Sequence, residues 1–234
     1  MNRYRRPKSR RGVMGIEAAI VLIAFVIVAS ALSFVVLNMG FSTTQKSKAS
    51  IENGLAQASG SLQISGVSEG SASTASSKLN VTAFPIATAQ IDGATNVDPK
   101  FTVVRYFSNA GVQYDNIYAC ALNMTTPQTS LSGAVTNAVA NPACSAGGIT
   151  VNPFTGGQPT TTKAFVYWTV QINANRIIEG GEQAMVAIIY KQTAPEDRPG
   201  VGDIIKTELV PPSGSVLTIQ RSIPAISSSV VDLG

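Results

Sequence analysis

Residues 16–37 form one apolar run of Ala, Ile, Val, Leu and Phe, broken only by Glu17, Ser30 and Ser33. A helix needs about 20 apolar residues to cross a bilayer core, so this segment must lie in lipid or in an equally dry protein interior. Its side chains are apolar all round rather than along one stripe, which is what the inside of a helical bundle requires. Directly ahead stands MNRYRRPKSRRG, with six Lys or Arg in twelve residues. A basic cluster before an apolar span marks the cytoplasmic end, and it places the C-terminal bulk outside the cell.

That cluster also explains the overall charge. The 234-residue chain carries +4, whereas beyond residue 12 eleven bases face thirteen acids. The basic character belongs to the leader, and a nucleic-acid partner loses its main support. Charged residues make up only 13% of the chain, and Ser, Thr, Asn, Gln and Gly supply the polarity instead. Such a surface is easier to desolvate in subunit contacts than one covered in ions, though a low-charge extracellular domain would share the composition. With no histidine, the common catalytic triads and zinc motifs are excluded. Gly147-Gly148, Gly156-Gly157 and Gly180-Gly181 lack the spacing of a phosphate cradle. No enzyme, cofactor or resident metal is expected.

The apolar run is too long for an ordinary secretory signal, and no small-residue cleavage site follows it. One precedes it, at Arg10-Arg11-Gly12. This arrangement resembles the class III leader of type IV pilins and archaeal flagellins (archaellins), in which a membrane peptidase cuts after a glycine preceded by basic residues. A cut after Gly12 starts the mature chain at Val13 and makes Glu17 its fifth residue. A cut after Gly15 is the competitor, without a basic pair directly before it. The segment Gly15-Ile16-Glu17-Ala18-Ala19-Ile20-Val21-Leu22-Ile23-Ala24-Phe25-Val26-Ile27-Val28-Ala29 looks like the archaellin signature. Glu17 departs from it, since many archaellins are uncharged there and pilins in general favour glutamate.

The resemblance implies a helical homopolymer. Its filament-assembly residues would be Glu17, Ile20, Ile23, Phe25, Ile27 and Phe34, and its partners the membrane during storage, a prepilin-type peptidase and the archaellum or pilus assembly machinery. It further implies that Glu17 meets the free N-terminal amine of a neighbouring subunit, which would remove most of the cost of a carboxylate in a dry site. The alternative leaves Glu17 in the headgroup region, stabilised by its helix N-terminus.

Beyond the apolar run, Leu37, Phe41, Thr44, Lys48, Ile51, Leu55, Ala58 and Leu62 follow alternating steps of four and three, a heptad seam. The spacing predicts one helix over residues 13–62, roughly 70 Å long at about 1.5 Å per residue, with weak points at Gly40, Gly54 and Gly60. Residues 44–62 would otherwise lie as an amphipathic helix on their own domain.

Residues 63–234 read as an all-β extracellular domain, an immunoglobulin-like sandwich or small barrel, so the fold class is α+β. Strands are expected at 78–84, 101–107, 116–122, 164–172, 183–191, 204–210 and 216–221, with no helical periods between them. In the fourth, Ala164, Val166, Trp168, Val170 and Ile172 should share one face, Trp168 being core, and Gly180-Gly181 should turn the chain into the fifth. The tail, with Pro211-Pro212-Ser213-Gly214 before a last apolar strand and Pro224, also resembles archaellins.

Cys120 and Cys144 both fall in the part expected outside the cell and are the candidate disulfide pair. Two separate buried thiols are the alternative. Asn80-Val81-Thr82 and Asn123-Met124-Thr125 are candidate N-glycosylation sequons. Asp92, Asn96 and Asp98 could surround a calcium ion but lack the closing glutamate of an EF-hand, which favours a solvated turn. The expected function is the structural subunit of the archaeal flagellum, for swimming. The alternatives are an adhesive type IV pilin, or a surface binding module anchored by a pilin-like helix.

Overall fold

The computed structural model describes residues 11–122 and 127–234. Helix α1 (Arg11–Ser59) runs unbroken for 49 residues, about 73 Å at about 1.5 Å per residue. It contains no proline, and three of its hydroxyl side chains donate back to its own backbone. Ser30 Oγ donates to the Val26 carbonyl at 2.7 Å, and Thr43 and Thr44 donate to Met39 and Gly40 at 2.8 Å, which lowers the cost of these hydroxyls in a dry setting. The helix stops at Ser59, short of residue 62. Leu62 leaves the seam because it is drawn into the core of the following unit, where it is 6% exposed.

The chain forms two compact units, residues 1–53 and 54–234. In chain order the second holds β1 (Leu62–Ile64), β2 (Glu69–Ser73), β3 (Lys78–Thr88), β4 (Ala94–Asn96), β5 (Val103–Ser108), β6 (Gln113–Tyr114) and β7 (Tyr118–Leu122). Next come α2 (Leu131–Ala140), α3 (Pro142–Ala146) and a turn of 3-10 helix (Pro153–Thr155). It continues with β8 (Lys163–Val170), β9 (Ile177–Glu179), β10 (Gln183–Ile189), β11 (Ile204–Val210), β12 (Leu217–Ser222) and β13 (Val230–Asp232).

The large sheet runs β13-β2-β3-β10-β8-β7, with β1 also paired to β3, and the smaller one runs β12-β11-β5-β6. One core lies between them: Phe84, Ile86, Val166, Trp168, Val186 and Ile188 come from the large sheet, and Val104, Tyr106, Ile205, Leu209 and Ile219 from the small one. This is a two-sheet sandwich, not a closed barrel.

The outer face of the large sheet is also covered. Val81, Phe165, Tyr167, Ala187 and Ile189 pack there with Ala134, Val135 and Ala138 of α2 and with the two cysteines. Both faces of β8 are therefore buried, which is why it reads as nearly continuous apolar sequence. It ends at Val170, and Val170 and Ile172 are 46% and 69% exposed rather than in the core.

The expectation of no intervening helix fails between β7 and β8. These strands are parallel, so the chain must cross over between them, and α2 and α3 make that crossing. Asn141 caps α3 by accepting from the Ala143 N–H at 2.9 Å, and Pro142 occupies the first turn, where no amide hydrogen is needed.

Candidate functional site

The first half of α1 presents the candidate assembly residues to the outside. Ile20, Ile23, Phe25, Ile27 and Phe34 are 62%, 57%, 74%, 61% and 68% exposed. Ile20, Ile23, Ile27 and Phe34 share one face, and Phe25 lies opposite. The apolar surface thus wraps the helix and cannot be covered by one neighbour on one side. Glu17 heads a strip shared with Val21 and Phe25 and has no ion pair among the described residues. Gly12 and Val13 lie in the first turn of α1, whereas the leader up to residue 10 lies outside the described residues.

Charge returns to the helix only after Gly40, with Lys46, Lys48 and Glu52. The Lys48–Glu52 pair spans 3.6 Å and is largely exposed, which makes it a weak helix-surface contact. α1 is therefore dry at its start and wet toward its end.

Cys120 on β7 and Cys144 on α3 are joined by a disulfide, which ties the crossover to the sheet edge. Asn80 lies on β3, where its Oδ1 accepts from Arg198 Nη1 at 3.1 Å. The sequon's Thr82 is buried and bonded to the Tyr190 hydroxyl at 2.8 Å. Asn123 lies outside the described residues.

Of the three candidate calcium oxygens, those of Asn96 and Asp98 are engaged. Asn96 Oδ1 accepts from the Asp98 N–H at 2.8 Å, and Asp98 pairs with Arg176 at 3.0 Å. Burial works against the charged form of Asp98, but the Lys100 N–H and the Arg176 guanidinium outweigh it and hold the carboxyl below its usual value.

Three acids that spacing alone did not single out organise the β unit. Glu182, 2% exposed, accepts from the backbone N–H groups of Ile172, Asn173 and Glu179 at 2.8, 3.2 and 3.1 Å. Asp197 accepts from the Tyr114 and Thr162 hydroxyls at 2.7 and 2.6 Å, and burial together with this bond pushes the Tyr114 phenol up to about 12. Glu196 bridges Lys78 and Arg198. The run Pro195-Glu196-Asp197-Arg198-Pro199, charges held between prolines, was the visible signal for the last two. Each of these groups is spent on holding loops together. Among the described residues no cluster of His, Cys, Asp or Glu is arranged to hold a metal.

Known proteins share both the sequence and the architecture. The family model for archaeal-type flagellin matches residues 12–221. Probable flagellin 1 of Aeropyrum pernix is 31% identical over 93% of this chain and 94% of its own length. Probable flagellin 2 of Archaeoglobus fulgidus is 29% identical over 93% and 91%. Among solved structures, the archaeal flagellum of Methanospirillum hungatei has a TM-score of 0.53 at 21% identity, over 90% of this chain and 93% of that one. The archaeal flagellin FlaB1 of Methanocaldococcus jannaschii has a TM-score of 0.54 at 14% identity, over 74% and 96%; these two share the fold. Matched over all but its first eleven and last thirteen residues, the chain belongs to the archaeal-type flagellin family.

Proposed function

We propose that this chain is the structural subunit of an archaeal flagellar filament, polymerising through α1 so that helices from many copies form a shared dry core with the β units outside. The all-round apolar surface of α1 carries this reading, because only a bundle of copies, or lipid, can cover it. The work is mechanical: rotation comes from a separate motor, and the subunit contributes repeated non-covalent packing. It is not an enzyme.

Before assembly the same helix stores the precursor in the membrane. A prepilin-type peptidase then removes residues 1–12 between Gly12 and Val13, and the assembly machinery draws the subunit out. Glu17, alone in the dry strip, pairs with the amine released by that cut on a neighbour, since a cation there offsets the desolvation of the carboxylate. Imaging of sheared surface filaments with N-terminal sequencing of their subunit tests the whole sequence of events. A terminus at Val13 is expected; a monomeric preparation overturns polymerisation, and another terminus overturns the cleavage step. Deletion should abolish swimming, and loss of attachment alone would indicate an adhesive pilus. For Glu17→Ala, subunits should accumulate in the membrane while filament yield falls, and unchanged yield removes the pairing role.

A further inference from the structure

We propose that the end of the β unit surrounding the exit of α1 is a docking surface for α1 of a second copy, with Asp92 pairing to the neighbour's Lys46 and Ile91 packing beside it. The inference rests on the filament reading above and adds which surface sets the contact between the outer wall and the core. The exit is a fixed collar. Ser61 O accepts from the Ala89 N–H at 2.8 Å, Gly60 O from the Thr95 hydroxyl at 2.8 Å, and Gly214 O from the Gln57 amide at 3.0 Å.

Two residues beyond Ala89 stands Ile91, 89% exposed. Its turn is closed by the Gly93 N–H donating to Gln90 O at 3.0 Å. It is also wedged by Gly180, where a Cβ would fall 1.4 Å from Ile91 O. Beside it runs a groove lined by Ile91 and half-exposed Val170, with Gln63, Ser65 and Gln183 supplying polar edges. Ile91 and Val170 thus make one small apolar patch with polar edges, the anatomy of a contact surface.

Charge identifies the occupant. Asp92 is exposed and has no ion pair among the described residues, and on α1 Lys46 is exposed with none either. Lys48, by contrast, is already paired with Glu52. Four residues to either side of Lys46 stand Ser42 and Ser50, neither able to neutralise it, and Met39, 68% exposed, lies two turns before it on the same face. This face thus offers one cation and one apolar side chain, the complement of Asp92 and Ile91. It lies opposite the seam of Phe41, Thr44, Lys48 and Ile51, so one helix can pack in the core along its seam while its Lys46 face receives a neighbour's collar. A rim ion pair adds little affinity and mainly fixes register; here it would fix the axial offset between successive copies.

Both native cysteines are spent in the disulfide, so thiols introduced by Asp92→Cys and Lys46→Cys are the ones a short bis-maleimide can bridge. In sheared filaments the double variant should give a ladder of covalent multimers, and filaments mixed from the two single variants should give a dimer. Filaments that yield only monomer, an internally bridged monomer or a conjugate with another protein overturn the proposal while leaving the filament reading intact. Absence of filaments from the native chain overturns that reading instead. Independently, Asp92→Lys and Lys46→Glu should each lower filament yield several-fold, and the double variant carrying both changes in one chain should restore it. Failure of that rescue also overturns the contact.

Discussion

Gly180 has no room for a side chain, because a Cβ there would meet the backbone of Ile91 at 1.4 Å. Gly180→Ala must separate the turn before β10 from the turn after β3, and a loss of about 2–3 kcal/mol is expected. Thermal unfolding of the variant measures it, and an unchanged midpoint would mean the two turns separate freely. Glu182 makes a second test at this scale. Truncation to Ala removes the acceptor of three partly buried N–H groups and should cost about 2 kcal/mol. Glu182→Gln keeps an acceptor and should cost about half of that, a difference that denaturant titration resolves. The sequence marked Gly180-Gly181 as a turn, because paired glycines punctuate chains whatever lies nearby. It gave no hint of Glu182, whose partners are backbone amides with no residue signature of their own.

The strands of the sandwich were legible as elements, since β3, β5, β7, β8, β10, β11 and β12 each carry an apolar run bounded by turn residues. α2 and α3 were not. Residues 131–146 bury little besides Ala134, Val135, Ala138 and Cys144, and small residues mixed with Ser, Thr and Asn look like loop. The short strands β2 and β13 were missed because three to five residues carry too little periodicity. The disulfide holds the crossover against β7 and closes a separation of 24 residues, which loop-closure entropy values at about 3 kcal/mol. Replacing both cysteines by Ser should lower stability by that amount, with hydrogen exchange rising first in α3. The clamp of Lys78 on β3 with Glu196 and Arg198 responds to acid. The Lys78 hydrogen bond, with help from Arg198 and against some burial, holds the Glu196 carboxyl below its usual 4.5. Its contribution is therefore whole above that value and is lost as pH falls through the lower folded one. Glu196→Gln should be less stable than the native chain at neutral pH, and its stability should fall less on acidification, as thermal unfolding across the acid range would record.

For the molecule as a whole, the division of labour was written in composition: one helix with no dry face to spare, then a sandwich with two cores. The surface proposed to meet a neighbour was not, because Ile91 and Asp92 gain meaning only once the fold sets their turn beside the end of α1. From Ile16 to Phe41, α1 leaves sixteen large apolar side chains more than half exposed. At the low end of about 1.5 kcal/mol each, covering them is worth on the order of 20 kcal/mol before opposing terms. A subunit so built is strongly disfavoured as a free chain in water, and little free subunit is expected in balance with polymer. The filament can then neither shed nor recruit copies through the surrounding water. On the proposed function, growth is expected through the interior or from the membrane at the base, and breaks should persist: sheared filaments kept under strong dilution should hold their length, and detergent, not buffer, should be what returns single chains.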